Sequence, residues 1–227
     1  MLTVPGLCWL CRMPLMLSHW GICSVCARSF APQHGRCPQC GLSAFSVHLP
    51  CGRCLRRPPP WQALVAVCGY VPPVSRLVHQ FKFSRHSQLA QPLARQLLLA
   101  ILQARRTRSL PAVEIIVSVP LWSRRHWRRG FNQSDLLCRP LARWLNCHYQ
   151  PGAIRRIRPT ATQHQLSARL RKQNLKHAFQ LEFPVGGRHI AIVDDVVTTG
   201  TTVAELSRLL LRSGAASVQV WCLCRTL

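Results

Sequence analysis

Residues 190–202 read Ile190-Ala-Ile-Val-Asp-Asp-Val-Val-Thr-Thr-Gly-Thr-Thr202, and this stretch decides the fold of the longer part of the chain. Its four apolar residues, with His189 before them, predict a buried strand over 189–193. The next apolar positions lie on one face of a predicted helix, namely Val203, Leu206, Leu209 and Leu210. Ser213-Gly214 ends that helix, and residues 218–223 predict a second strand. Such a right-handed βαβ unit binds its ligand beyond the carboxyl end of its first strand, which here is residues 194–202.

The chemistry of residues 194–202 indicates a sugar phosphate. Gly200 and four threonines at a helix N-terminus offer N–H groups, hydroxyls and a positive dipole end to a phosphate. Asp194 and Asp195 cannot bind a phosphate directly, but they can accept hydrogen bonds from vicinal ring hydroxyls or bind a cation. Neither Gly-x-x-x-x-Gly-Lys nor Gly-x-Gly-x-x-Gly occurs in the chain, which argues against nucleoside triphosphate and dinucleotide sites.

The first 54 residues contain eight of the 13 cysteines, arranged as four Cys-x-x-Cys pairs. One tight turn directs both sulfurs of a pair at a single ion, and two turns complete a tetrahedral site. We therefore predict two structural Zn²⁺ sites, with the pairing of the turns left open among three partitions. Redox-active or disulfide-bonded pairs are the alternative, but redox motifs occur singly. The predicted ligands are Cys8, Cys11, Cys23, Cys26, Cys37, Cys40, Cys51 and Cys54.

A proline-rich segment over 58–63 predicts a semi-rigid linker between a double zinc ribbon (1–57) and a second domain (64–227). In that domain, residues 64–70 and 113–119 predict further strands, and Ser87 is a candidate cap for a helix. The apolar face of that helix is predicted to contain Leu89, Leu93, Leu97, Ile101 and Leu102. A helix over 134–145 is predicted to bury Leu137, Leu141, Trp144 and Leu145. The fold class is therefore α/β, with a central, mainly parallel sheet between flanking helices.

The charge balance points to a polyanionic partner. Lys and Arg total 30 against six acidic residues, which gives a formal charge of +24. The chain has no apolar run long enough to span a membrane, and its start lacks the pattern of a signal peptide. We expect a soluble, cytoplasmic protein without a membrane partner.

Arginines alternate with aromatic residues in Trp122-Ser-Arg-Arg-His-Trp-Arg-Arg-Gly-Phe131. Guanidinium groups pair with phosphates, and aromatic rings stack on bases without sequence preference. We therefore predict single-stranded DNA binding here; the alternative is a solvated basic turn with its tryptophans packed beneath it. The predicted nucleic-acid-binding residues are Arg124, Arg125, Trp127, Arg128 and Arg129.

Residues 190–202 resemble the ligand-binding motif of type I phosphoribosyltransferases. The resemblance implies that Asp194 and Asp195 are catalytic residues holding the ribose 2- and 3-hydroxyls of phosphoribosyl pyrophosphate, which binds with Mg²⁺; ribose 5-phosphate is the simpler ligand. The 5-phosphate would lie in a cradle formed by Val196, Val197, Thr198, Thr199, Gly200, Thr201 and Thr202. A turn after an earlier strand binds pyrophosphate in these families, and its counterpart here is Pro120-Leu121-Trp122. Lys82 and Arg171 are further candidate pyrophosphate partners.

The whole chain resembles the ComF family, specifically its GntX members. The resemblance rests on the cysteine-rich start and on three segments: His79-Gln-Phe-Lys-Phe83, Arg129-Gly-Phe-Asn-Gln133, and Gln165-Leu-Ser-Ala-Arg-Leu-Arg-Lys-Gln-Asn-Leu-Lys176. It implies a role in handling single-stranded DNA, either in competence-type uptake or in the use of DNA as a nutrient.

The alternative function is that of an active phosphoribosyltransferase of nucleotide salvage. Its acceptor is unknown, because no base-binding segment is recognisable. A role in gluconate uptake, also associated with the GntX name, ranks lowest, because it suits a basic, zinc-bearing chain poorly. The sequence does not identify the protein partners.

Overall fold

The computed structural model describes residues 6–30, 35–83, 87–121, 131–157 and 178–226. Their centre is a five-stranded sheet in the order β1-β7-β6-β2-β3, and all neighbouring strands in it are parallel. A separate antiparallel pair joins β4 to β5. The strands are β1 Ala63–Gly69, β2 Ile115–Ser118, β3 His148–Tyr149, β4 Ile154–Arg156, β5 Phe179–Leu181, β6 His189–Val197 and β7 Ser217–Arg225.

Helices cover both faces of the sheet, as a parallel sheet requires. The helices are α1 Ser24–Arg28, α2 Gly52–Arg56, α3 Val74–Phe83, α4 Ala90–Arg108, α5 Gln133–Leu145 and α6 Thr201–Arg212. On one face, α3, α4 and α5 pack around the buried Trp221 of β7. On the other, Leu206 and Leu210 of α6 pack on Ile192 of β6. The predicted α/β class with a mainly parallel sheet is confirmed.

The order of the strands creates a crevice at the carboxyl ends of β2 and β6. The chain leaves β2 for β3 in one direction across the sheet and leaves β6 for β7 in the other. Ligands of open α/β sheets bind at such a switch point. Ser118 pairs with Val193, and the N–H of Val119 donates to the carbonyl of Val193 at 3.0 Å. Pro120 and Asp194 therefore emerge at the same edge.

Three local predictions need correction. The strand predicted over 189–193 continues to Val197, because β7 is also long and pairs Cys224 with Val196 and Arg225 with Val197. Leu102 is 36% exposed and Trp144 37% exposed, although both were predicted to be buried. In each helix the buried side chains recur about every four residues and form one face. Leu102 and Trp144 lie next to that face and are therefore partly exposed. The third correction concerns Ser87, which lies in a 3-10 turn before α4 and not at the cap of that helix.

The cysteine-rich region packs closely against the sheet domain. Its Ile22 and Phe30 belong to the same buried cluster as α3 and α4. A Cβ added to Gly21 would lie 2.2 Å from Cγ of Pro92 in α4, so only glycine fits there. The predicted domain boundary therefore lies between units that share a core. Within the described part of the chain, no helix has the length and apolar character needed to cross a bilayer.

Candidate sugar phosphate site and metal clusters

Two adjacent carboxylates, Asp194 and Asp195, lie in β6 directly after Val193, the last residue of this strand that pairs with β2. Asp195 is buried, and its Oδ1 lies 3.0 Å from Nζ of Lys82 in α3. The N–H of Asp195 donates to Oδ1 of Asp194 at 2.8 Å, and Oγ of Ser134 lies 3.5 Å from the same oxygen. The sequence predicted both carboxylates in the segment after the strand, but the structure places them within β6. Lys82, a candidate pyrophosphate partner, contacts Asp195, which the sequence did not predict.

The electrostatics of this pair keep one carboxylate close to protonation. Burial raises the pKa of Asp194 to about 7, with a further upward contribution from the charge of Asp195 and an opposing one from Lys82. Near neutral pH, Asp194 therefore changes between a protonated form, which can donate a hydrogen bond, and an ionised form, which only accepts. An incoming hydroxyl or cation can shift the equilibrium between the two forms.

Side chains at the N-terminus of α5 connect this helix to the end of β2 and to α3, beside the carboxylates. The side chain of Asn132 caps α5 by accepting from the N–H of Ser134 at 3.1 Å and donates to the carbonyl of Val119 at 3.1 Å. Nε2 of the buried Gln133 donates to the carbonyl of Lys82 at 3.3 Å. Sequence analysis gave these residues no role. The Asn132-to-Asp135 spacing of a helix cap was the available signal.

Residues 198–202, here called the phosphate loop, are the three residues that connect β6 to α6 and the first two residues of α6. Thr198 and Thr199 are exposed, and Gly200 adopts φ of +77° as the N-cap of α6. Oγ1 of Thr199 and Oγ1 of Thr201 lie 2.8 Å apart. The N–H of Thr201 donates to Oγ1 of Thr199 at 3.4 Å. Backbone N–H groups at a helix N-terminus, together with exposed hydroxyls, suit a phosphate. The preceding Val196 and Val197 belong to the sheet. The side chain of Val197 is buried, and its carbonyl accepts hydrogen bonds from Nη1 of Arg225 and from the N–H of Thr226, both at 3.0 Å, so neither group is available to a ligand.

The second predicted turn is described in part. Pro120 and Leu121 follow β2 at the crevice and are half-buried. The remaining predicted residues lie outside the described ranges, namely Trp122, Arg124, Arg125, Trp127, Arg128, Arg129 and Arg171. The structure therefore brings together Asp194, Asp195, Lys82, the phosphate loop and the start of the Pro120 turn.

The eight predicted cysteine ligands form two groups of four, and in each group all sulfurs lie within 4.8 Å of one another. The first metal cluster, as we name it, is Cys8, Cys11, Cys23 and Cys26, and the second is Cys37, Cys40, Cys51 and Cys54. Consecutive turns therefore share a cluster, which resolves the three partitions. In each cluster one pair lies on a turn closed by a single antiparallel bridge, and the other lies at the start of α1 or α2.

The environment of the sulfurs suits a thiophilic ion. The N–H of Cys23 donates to Sγ of Cys8 at 3.4 Å, and the N–H of Cys51 donates to Sγ of Cys37 at 3.3 Å. Burial alone would raise the pKa of these two thiols, but backbone N–H groups lower it to about 6 for Cys8 and about 7 for Cys37. The thiolate is thus favoured at one sulfur of each cluster, whereas burial raises the pKa of Cys26, Cys40 and Cys54. Four sulfurs at this separation could hold zinc.

Comparisons with known proteins agree with this architecture. A model of the phosphoribosyl transferase domain matches residues 137–227. The DNA utilization protein YhgH of Escherichia coli (strain K12) is 69% identical over 227 residues, with 100% of both chains covered. Competence protein F of Haemophilus influenzae is 42% identical over 225 residues, with 96% of each chain covered. The chain belongs to the ComF/GntX family.

This ComF/GntX member has the fold of a type I phosphoribosyltransferase, preceded by two clusters of four cysteines each. The domain match begins within α5 and includes β6, the phosphate loop, α6 and β7. A solved hypoxanthine phosphoribosyl transferase of Trypanosoma cruzi aligns over 61% of this chain and 66% of its own, with 19% identity and a TM-score of 0.40.

Proposed function

We propose that the protein binds phosphoribosyl pyrophosphate at the crevice between β2 and β6 and takes part in the utilisation or uptake of single-stranded DNA. The observation that carries the proposal is the pairing of two carboxylates with an exposed phosphate loop at the switch point of the sheet. The names of its relatives, DNA utilization protein and competence protein, support the second half. A cytoplasmic location fits both halves.

In the proposed complex, Asp194 and Asp195 accept hydrogen bonds from the ribose hydroxyls, and the phosphate loop receives the 5-phosphate. Lys82 lies 3.0 Å from Asp195 and would balance the carboxylates or contact the pyrophosphate, together with the Pro120 turn and Arg171. Mg²⁺ bound to the pyrophosphate would neutralise the charge that develops on the leaving group. The protein itself would position the sugar and stabilise the charge that develops in the transition state.

Zinc fits the two clusters as a structural ion, and residues 58–63 fit a boundary between a ribbon and the ligand-binding domain. The closed sets of four thiolates leave no position for substrate, which is the arrangement of structural sites. We propose that the ions stabilise the N-terminal region and do not enter the chemistry.

A second candidate function is an active phosphoribosyltransferase with an unidentified acceptor. The domain match over residues 137–227 favours it. Release of pyrophosphate, measured against a panel of bases, nucleotides and oligonucleotides, tests it directly. Pyrophosphate release that depends on one acceptor would establish turnover. If no acceptor in the panel causes release, the protein only binds the ligand.

The test of ligand binding is thermal unfolding. Phosphoribosyl pyrophosphate with Mg²⁺ is expected to raise Tm, by an increment that corresponds to about 2.7 kcal/mol at a ligand concentration of about 100 times Kd. Ribose 5-phosphate is expected to raise it less. The double substitution Asp194→Asn and Asp195→Asn should abolish the rise, because the amides cannot replace both anionic acceptors.

The matched control removes two carboxylates elsewhere. Glu182 is exposed, and Glu205 is paired on α6 with Arg208. Glu182→Gln with Glu205→Gln makes the same change in net charge and should keep the full rise in Tm. An equal rise in the Asp194/Asp195 variant would show that the ligand binds elsewhere.

A further inference from the structure

The turn of the second metal cluster is held by the sheet domain through its main-chain carbonyls. Residues 37–40, here called the knuckle, are Cys37-Pro-Gln-Cys40. The N–H of Leu64 donates to the carbonyl of Pro38 at 3.1 Å, and Nε1 of Trp61 donates to the carbonyl of Gln39 at 2.6 Å. Nε of Arg225 donates to the carbonyl of Cys40 at 2.8 Å. Three successive carbonyls of the knuckle are therefore engaged.

Two of these three donors also contact the phosphate loop or the residue before it. The guanidinium of Arg225 donates through one nitrogen to the carbonyl of Val197 at 3.0 Å and to the carbonyl of Thr198. The ring of Trp61 lies under Gly200, where an added Cβ would be 3.2 Å from the ring. The knuckle and the phosphate loop are thus joined by two side chains.

This linkage determines which way the loop amides point. In a trans peptide, the C=O of one residue and the N–H of the next point in opposite directions. The carbonyls of Val197 and Thr198 face Arg225, so the N–H groups of Thr198 and Thr199 point away from it, toward the exposed side of the loop. That is the orientation an anion requires.

The second metal cluster can supply negative charge to balance the positive charge of the buried Arg225. Arg225 is 7% exposed, and the hydrogen bonds recorded for its guanidinium go to carbonyl groups. A buried cation without an opposite charge is costly. Four thiolates around a divalent ion carry a formal charge of about −2. Burial lowers the pKa of Arg225, whereas Cys222 of β7 and then the cluster sulfurs of Cys40 and Cys54 act in the opposite direction.

We propose that Arg225, assisted by Trp61, is a positioning residue through which the metal-loaded second cluster holds the phosphate loop in its anion-binding form. The inference rests on the proposed binding of phosphoribosyl pyrophosphate. The first cluster has no such role, since it packs instead on α4 through Gly21 and through Trp20, whose ring lies 4.1 Å from the guanidinium carbon of Arg95.

The first experiment replaces Arg225 in the full-length, zinc-loaded protein. Arg225→Met keeps an apolar stem but loses every donor, so hydrogen exchange over 196–203 should become faster without any ligand present. Affinity for phosphoribosyl pyrophosphate with Mg²⁺, measured by calorimetry, should fall by at least about tenfold, as expected for lost hydrogen bonds to a charged group. Arg108→Met is the matched control, because Arg108 donates to the carbonyl of Pro38 at 3.4 Å without a recorded contact to the loop.

The outcomes separate the inference from the proposed function. Exchange and affinity unchanged in Arg225→Met would overturn the inference. A parent protein that shows no affinity for the ligand would overturn the proposed function, while the exchange comparison would still decide the role of Arg225. If Arg225→Met does not fold, Trp61→Phe keeps a ring under Gly200 and removes the donor to Gln39; loop exchange equal to the parent's would then count against the linkage.

The second experiment removes one metal at a time. Cys51→Ser breaks the second cluster without altering a knuckle residue, and Cys11→Ser breaks the first. Each variant should lose one zinc by metal analysis. The Cys51 variant should lose at least about tenfold in ligand affinity, because the support behind the loop is released. The Cys11 variant should stay within about twofold of the parent. Equal losses in both variants would mean a general effect on folding and would contradict a specific linkage.

Discussion

At the scale of single residues, Asp194 makes stability depend on pH in a predictable direction. Burial raises its pKa to about 7, whereas an Asp in an unfolded chain titrates near about 4. The folded state therefore binds this proton more tightly, and the stabilisation is complete below pH of about 4 and is lost as pH rises through about 7. Between these values the free energy of unfolding should fall with rising pH.

The measurement compares the parent with Asp194→Asn by urea unfolding at several pH values from about 5 to about 8. The parent curve should fall relative to the variant by at most about 1.4 kcal/mol per pH unit, and the two should run parallel above the folded pKa. Groups that do not interact with Asp194 contribute equally to both proteins and cancel in the difference, whereas Asp195 and Lys82, whose charges act on Asp194, are part of the measured effect. Parallel curves throughout would show that Asp194 titrates normally.

Single residues also show where sequence reasoning succeeds and fails. Asp194, Asp195 and Gly200 were predictable because each carries its chemistry in its identity: two carboxylates after an apolar strand, and a glycine where φ is positive. Arg225 was not predictable as a contact of the phosphate loop. Its partners are carbonyl groups of Val197 and Cys40, and every residue type has a carbonyl, so the sequence contains no sign of the contact.

At the scale of elements, hydrophobic spacing predicted most of the sheet and most of the helices that pack on it, but it missed α3 of the sheet domain and the short α1 and α2 of the cysteine-rich region. In α3, Val74, Leu77, Val78 and Phe81 are buried, which is the spacing of a helix face. The signal was therefore present. Lengths were less predictable, because the last residues of β6 are ordered by pairing with β7, a contact between segments about twenty residues apart in the chain.

The two metal clusters carry the main prediction at this scale: the purified protein should contain two zinc ions per chain. The sulfurs in each group lie within 4.8 Å of one another, and in a region of this size metal binding contributes directly to folding. Metal analysis of protein purified under reducing conditions checks the number. Fewer than one zinc per chain, or disulfides at these cysteines, would contradict it.

At the scale of the whole molecule, the sequence predicted two units joined by a linker, and the contacts join them more tightly than a linker implies. Ile22 and Phe30 complete a core shared with α3 and α4, while the knuckle supports the phosphate loop. Packing between distant segments depends on their docked geometry, which composition and periodicity do not encode. The boundary at 58–63 stays a prediction, and the units on either side of it share a buried core.

The whole-molecule charge of +24 leads to the last prediction, that the protein binds single-stranded DNA through residues 124–129 and not through its charge in general. Replacing Arg124, Arg125, Arg128 and Arg129 by Ala should lower affinity and reduce the log-log salt slope by about 0.7 per lost phosphate contact, or about 3 for four contacts. The control replaces four exposed arginines elsewhere, Arg106, Arg139, Arg143 and Arg212, with the same loss of charge. Fluorescence anisotropy with an oligonucleotide over a range of salt concentrations measures both slopes. If the two variants lose slope equally, the effect is general electrostatic attraction; if neither does, the segment is a solvated basic turn.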